Sequence, residues 1–269
     1  IHICIYNRYM SNEPKISVCL ASYNGQLFIK KQVKSILDQL KDNDELIIID
    51  DCSTDKTVST LNEIKDKRIK LFKNEINLGV NKTFEKSVQL SSGDYIFLSD
   101  QDDIWIPGRI DLMVKKMNDN NVDLISSNFV WINENDFQVH VDFDGVSTAD
   151  SFNYLKNIFL IFKGTTNYYG CAMAFRKSLK KIIIPFPIFI ESHDIFIALA
   201  ANLKKSNVHI DAITLKKRIH CNNLTSTKSN RNLFYKSKSR IVFLFHCIVI
   251  IFRLLIKSKK SRNKKNTVL

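Results

Sequence analysis

The chain has 269 residues, 45% apolar and 25% charged, which is the balance of a folded globular protein and excludes a disordered or fibrous one. Its formal net charge of +13 is lopsided, because residues 212–269 hold fifteen Lys and Arg and no acid, leaving the first 211 residues slightly acidic. The six cysteines are scattered with no C-x-x-C pair, which excludes a disulfide framework and predicts reduced thiols in a cytosolic protein.

Met10 opens a short polar lead, and residues 1–14 are expected to precede the first element; they are too short and polar for a secretory signal. Residues 16–22 form an apolar run that stops at Tyr23-Asn24-Gly25, a turn by composition. Ile29, Val33, Ile36, Leu37 and Leu40 then recur at helical spacing, with Lys30, Lys31 and Lys34 on the solvated side. A second apolar run, 46–49, enters Asp50-Asp51-Cys52-Ser53-Thr54-Asp55, residue types that cap the helix marked by Val58, Leu61 and Ile64. Residues 69–72 give a third strand, Val80, Phe84 and Val88 a third helix, and 95–98 a fourth strand. Unbroken apolar strands alternating with helices predict a parallel, doubly wound α/β sheet covered on both faces. Pro107 suits the start of a helix through Ile110, Met113 and Met117, and 123–130 forms the next strand. There is no G-x-G-x-x-G after the first strand and no G-x-x-x-x-G-K-[ST] anywhere, which disfavours dinucleotide oxidoreductases and P-loop enzymes.

The stretch YIFLSDQDDIW, 95–105, carries the sharpest chemical signal. A buried strand breaks into Asp100, Asp102 and Asp103, and in open α/β sheets ligands bind beyond the carboxyl ends of strands. Carboxylates one residue apart repel each other unless a cation lies between them, and Mg²⁺ or Mn²⁺ accepts such oxygens together with substrate phosphates. Taken alone, these residues fit either a metal–diphosphate site or an acidic loop capping the next helix.

In order along the chain, SVCLASYNG (17–25), IIIDDCSTDKT (47–57), NEINLGVNKTF (74–84), GDYIFLSDQDDIW (93–105), ESHD (191–194) and RIHCNN (218–223) resemble the family 2 glycosyltransferases. The resemblance implies a GT-A (Rossmann-like) fold over 15–225, a mostly parallel sheet flanked by helices, and a metal-dependent, inverting transfer from a nucleotide-sugar donor. The wording SDQDDIW is most like the bacterial branch that builds rhamnose-containing surface polysaccharides. That implies dTDP-L-rhamnose or a UDP-hexose as donor and a lipid-linked or polysaccharide acceptor. By the same resemblance Ser22 and Tyr23 would line the base pocket, and Asp51 or Asp50 would accept a hydrogen bond from base or ribose. Asn77 and Gly79 would flank the nucleotide, and Asp100 would contact the ribose or the metal. Asp102 would coordinate Mn²⁺ or Mg²⁺, His220 would close over the diphosphate or complete the metal shell, and Arg218 would neutralise phosphate. Residues 170–175 would floor the donor sugar site as a strand of small residues, and Trp105 reads as core or site wall. Asp194 would be the general base; Glu191 is the alternative, since the family's usual wording here is Glu-Asp.

Two other functions compete. A sugar-1-phosphate nucleotidyltransferase would carry a glycine-rich, basic signature near the first strand, which residues 21–25 lack. An inactive nucleotide-binding, membrane-docking module is disfavoured by the joint presence of Asp100, Asp102, Asp194 and His220.

Residues 226–269 read as a basic amphipathic tail. The apolar run between Arg240 and Arg253 has only about a dozen residues against the roughly 20 of a helical span, so a helix in the membrane interface is expected, with Lys and Arg at anionic headgroups. Phosphate attraction needs charge but no apolar run, so nucleic acid is not the expected partner. Together these readings place the chain in the bacterial cytoplasm, peripheral to the inner face of the plasma membrane.

Overall fold

The computed structural model describes residues 13–165, 168–220 and 233–266. The turn expected at 221–223, the domain boundary expected at 225 and most of the lead lie outside the described residues. The expected β-α alternation holds. Strands β1 (Ile16–Ser22), β2 (Glu45–Asp50), β3 (Ile69–Lys73) and β4 (Tyr95–Ser99) are connected by helices α1 (Ile29–Leu37), α2 (Thr57–Glu63) and α3 (Val80–Leu90). β2 pairs in parallel with β1 and β3, and β1 in parallel with β4. Leu46, Ile47, Ile48 and Ile49 of β2 are all fully buried, each contributing about 1.5–3 kcal/mol of apolar burial; this is why the strand reads as a continuous apolar run.

The second half of the sheet is mixed, where the sequence pattern predicted continued parallel pairing. It comprises β5 (Ile104–Trp105), β6 (Leu124–Ile132), β7 (Met173–Arg176) and β8 (Asn207–Arg218), and the strand order is β3-β2-β1-β4-β7-β6-β8-β5. β7 is antiparallel to both β4 and β6, β6 is parallel to β8, and β5 is antiparallel to β8. The helices of this half are α4 (Arg109–Asp119), α5 (Tyr154–Lys163), α6 (Lys177–Ile183), α7 (His193–Leu203) and α8 (Leu233–Asn266). The segment expected to be a strand over 170–175 begins with a 3-10 turn, Gly170–Ala172, before β7.

α8 corrects the reading of the tail. It is one helix of 34 residues, and its stretch Tyr235–Ser258 is long and apolar enough to cross a membrane by length and composition. The polar residues that shortened the apparent apolar run lie on the face docked against the α/β fold. Arg253 donates to the carbonyls of Ile182, Ile183 and Pro185 at 2.8, 3.1 and 2.7 Å, Lys257 donates to that of Ser178, and His246 contacts that of Phe189. Ile250 is fully buried between them. The opposite face, through Ile241, Leu244, Ile248, Phe252 and Leu255, is exposed and apolar rather than basic. Cys19 and Cys171 are buried free thiols, as expected.

Candidate active site

Topology brings the sequence-selected residues to one edge of the sheet. β1, β2, β4, β6 and β8 run in the same direction, so Tyr23, Asp51, Asp100 and Arg218 all lie at carboxyl ends of strands along that edge. β7 runs the opposite way, which places the turn before it, Gly170–Ala172, at the same edge.

On the β1–β2 side every polar group is engaged. Asp50 is fully buried and accepts from Ser22 Oγ at 3.2 Å, Ser53 N at 2.9 Å and Ser53 Oγ at 2.5 Å. Asp51, also buried, organises the 74–79 loop: Oδ1 accepts from Asn74 Nδ2 and Leu78 N, and Oδ2 from Gly79 N, all at 2.8 Å. Asn77 Oδ1 also accepts from Gly79 N at 3.1 Å. Gly79 has φ +80 and ψ 161, backbone angles that side-chain-bearing residues rarely adopt, which is the reason for glycine in this loop. The Tyr23 ring is exposed, while its backbone is clasped by the amide of Gln101, which accepts from Tyr23 N at 2.8 Å and donates to Tyr23 O at 3.0 Å. Gln101 thus ties the end of β1 to the acidic loop.

The three acids after β4 sit in different surroundings. Asp102 Oδ2 lies 2.8 Å from His220 Nε2, and the His220 ring packs on Phe28 with centroids 5.2 Å apart. Asp100 Oδ2 accepts from Lys217 Nζ at 3.1 Å; burial works against its ionisation, but the Lys217 charge and hydrogen bond hold its carboxyl below the usual range. Asp103 accepts from Arg218 N at 3.0 Å, and burial together with the charges of Asp102 and Asp100 pushes its pKa up to about 7 despite Lys217. Its Oδ2 is buried with no hydrogen-bond partner among the described residues. Arg218 is fully buried, donating to the carbonyls of Asp102 at 2.8 Å and Asn133 at 2.6 Å, and its guanidinium lies over Phe28. These bonds shape the loop that carries the acids.

The residues fit a divalent cation. Asp102 and His220 offer an oxygen and an imidazole nitrogen side by side, and Asp103 Oδ2 is a buried acceptor with nothing to accept. A second group, Asp100, Asp103 and Cys171, has ligand atoms within 4.8 Å of one another. Lys217 Nζ lies 3.1 Å from Asp100 Oδ2 and 3.5 Å from Cys171 Sγ, so a fixed positive charge already stands there, which disfavours a second cation.

Asp194 occupies the first turn of α7, where the helix dipole favours an acid. Its Oδ1 accepts from Ile195 N at 2.8 Å and closely from Ser192 Oγ, and its Oδ2 from Gly170 N at 3.3 Å. Gly170 is required by close approach, because a Cβ there would lie 2.9 Å from His193 Nε2. His193 stacks on Phe84 and is fixed through Asn81, whose Oδ1 lies 3.1 Å from Nδ1; burial lowers its pKa. Glu191 is turned the other way, accepting from Ser239 Oγ on α8 at 2.9 Å. Gly170-Cys171 therefore links Asp194 to Lys217 and Asp100. Sequence reasoning missed Lys217, Gln101 and Asn81. Residues 216–218 alternate faces of a strand, so one of the two lysines had to point inward, and that was the available signal.

Residues 17–183 match the family described as Glycosyl transferase family 2, more than half of the chain. The chain belongs to glycosyl transferase family 2. Two Escherichia coli relatives carry the same description, UDP-Glc:alpha-D-GlcNAc-diphosphoundecaprenol beta-1,3-glucosyltransferase. WfaP is 28% identical over 86% of this chain and 91% of its own length. WfgD is 34% identical over 45% of this chain, and that match spans only 47% of the relative's length. Among solved structures, S. aureus TarS in complex with UDP-GlcNAc superposes with a TM-score of 0.63 at 18% identity, covering 86% of this chain and 72% of that one. The mannosyltransferase PcManGT from Pyrobaculum calidifontis, in complex with GDP-Man and Mn²⁺, gives 0.57 at 17% identity, covering 82% and 65%. These two likenesses establish the GT-A type of fold, and the family places the chain among the glycosyltransferases of glycan synthesis.

Proposed function

We propose that this family 2 enzyme transfers a hexose, with inversion, from a UDP-linked donor to a hydroxyl of a lipid-diphosphate-linked glycan destined for the cell surface. The observation that carries the reading is that Asp194 and the acids after β4 converge on one sheet edge through the Gly170-Cys171 turn. UDP-hexose is preferred to dTDP-L-rhamnose because the two relatives are named for UDP-Glc and TarS was solved with UDP-GlcNAc.

In this reading the ordered 74–79 loop and the Tyr23 wall receive the nucleotide, and Asp51 holds that loop in place before the donor arrives. Asp102 and His220 would hold a divalent ion, Mn²⁺ or Mg²⁺, and such an ion would supply positive charge to the departing diphosphate. Lys217 adds a fixed charge at the same place, and Arg218 positions the loop from beneath. Asp194 accepts the proton of the acceptor hydroxyl as that oxygen attacks the anomeric carbon from the side opposite the diphosphate. Its carboxylate is aimed by Ile195 N and Gly170 N, whereas Glu191 is held against α8, which favours Asp194 as the base.

The deciding experiment is release of nucleoside diphosphate from UDP-glucose, UDP-galactose, UDP-GlcNAc and dTDP-L-rhamnose, each with Mn²⁺, Mg²⁺ or EDTA. Metal-dependent release from a UDP-hexose is expected. Release that persists in EDTA would remove the metal from the mechanism, and release from the rhamnose donor alone would reverse the choice of sugar.

The exposed apolar face of α8 lies, in the same proposal, in the plane of the cytoplasmic membrane surface, since the docked face holds Arg253 and Lys257 against the α/β fold. The double variant Ile248→Glu, Phe252→Glu is expected to lose most of its binding to anionic vesicles in flotation. An unchanged bound fraction would remove the membrane contact.

A further inference from the structure

The segment between the two prolines and α7 runs along α8 and leaves a cavity of about 350 Å³, lined by Phe189, Ser237, Lys238, Ile241 and Val242. Its walls are almost wholly apolar, and Lys238, which contributes to them, is exposed. Phe189 and Ile241, 67% and 69% exposed, are large apolar residues left uncovered at this place, and Ile188 beside them is 87% exposed. The site is built rather than incidental. His246 Nε2 contacts the Phe189 carbonyl at 3.2 Å, Asn81 Nδ2 donates to the carbonyls of Ile190 and Glu191 at 3.3 and 3.4 Å, and Ser239 Oγ donates to Glu191. The segment is thereby strung between α3 and α8, with the cavity at one end and Asp194 at the other. Asp194 is five residue steps from Phe189, a reach of at most about 18 Å along the chain. A diphosphate and one sugar can bridge such a distance.

Charge identifies the occupant. Lys236 and Lys238 stand exposed at one end of α8, and the helix contains no acid over its 34 residues. An apolar slot with a basic mouth fits an amphiphile whose anionic head adjoins a hydrocarbon tail, and the slot continues into the exposed apolar face of α8.

We infer that the cavity between Phe189 and α8 binds the first isoprenoid units of a polyprenyl diphosphate acceptor, with Lys238 at its diphosphate and the acceptor sugar directed toward Asp194. This inference rests on the lipid-linked acceptor proposed above and assigns it a place. The tail then leaves along the exposed face of α8 into the membrane, so that the helix that holds the enzyme at the lipid surface also aligns its acceptor.

The test uses the full chain in detergent, which removes membrane affinity from the comparison. Native protein, Ile241→Glu and Phe189→Ser would be assayed with GlcNAc-diphosphoundecaprenol and with GlcNAc-diphosphate bearing an ethyl group in place of the polyprenyl chain. Farnesyl diphosphate binding would be measured in parallel by equilibrium dialysis. The expected result is a rise of about tenfold or more in KM for the polyprenyl acceptor, matched by weaker farnesyl diphosphate binding, with KM for the ethyl acceptor and for the donor unchanged. Leu155→Glu, at an exposed apolar residue on α5 rather than α8, should leave both acceptor constants unchanged. A polyprenyl KM that does not move, or an equal rise for both acceptors, overturns the cavity assignment while leaving the lipid-linked reading intact. Farnesyl diphosphate binding that Ile241→Glu abolishes, with no transfer to either acceptor by native protein, upholds the cavity and refutes the lipid-linked acceptor instead.

Discussion

The two halves of the sheet are built on opposite terms. At the carboxyl ends of β1 and β2 the buried polar groups are matched: Asp50 by Ser22 and Ser53, and Asp51 by three donors of the 74–79 loop. Beyond β4, buried polar atoms stand without partners among the described residues, including Asp103 Oδ2 and His193 Nε2. A matched region is rigid before any ligand arrives, whereas unmatched atoms are costly unless a ligand completes them. In the proposed function this difference would separate a preformed nucleotide side from a catalytic and acceptor side that substrate and cation complete.

The strongest way to break this comparison is Asp194→Asn. Transfer should fall about 10²–10⁴-fold in kcat, the usual worth of a general base, with donor affinity unchanged in calorimetric titration. Equal loss of rate and donor binding would move Asp194 from proton acceptor to binding group and blur the two halves. Next in size, Asp51→Ala leaves the part-buried Leu78 N and the buried Asn74 side-chain amide without their acceptor, while Gly79 N keeps Asn77 Oδ1. At about 1–3 kcal/mol per stranded donor, a loss of about 3 kcal/mol or more is expected in urea unfolding, together with weaker donor binding. A loss below about 1 kcal/mol would show that the 74–79 loop is not held from Asp51.

The smallest effect sharpens the contrast through pH. Glu45, at the other end of β2, is buried; burial pushes its pKa up, but Lys70, Ser17 and Ser92 reverse this and hold it down to about 2, from an ordinary 4.5. A lowered acid stabilises the fold in its ionised form, so its contribution is complete above pH 4.5 and lost as pH falls toward 2. Glu45→Gln should lose about 2–3 kcal/mol near neutrality and show a flatter decline in stability between pH 4.5 and 2. Parallel pH profiles for native and variant would assign the acid sensitivity elsewhere.

Much of the first half was legible in the sequence because its information is local. A strand buried on both faces must be continuously apolar, helices between such strands keep a 3.6-residue period, and turns take Gly, Asn and Asp; β1 to β4 obey all three. The ordered motifs that mark family 2 lie in the loops after these strands, so their chemistry was visible as well.

What only the tertiary structure decided depends on partners far apart in sequence. The reversal of β7 arises from pairing with both β4 and β6, which no local pattern encodes. Lys217 reads as one of two adjacent surface lysines until β8 turns it toward Asp100, 117 residues away, and only the same strand's pairing buries Arg218 against the acidic loop. The tail gave a short interrupted run because Arg253 and His246 count as polar in sequence, while in the fold both meet backbone carbonyls on the docked face and the apolar helix continues past them. Composition and period therefore determined the elements, the ordered motifs carried the resemblance to the family, and long-range hydrogen bonding and burial determined which charged groups face chemistry and which hold the fold.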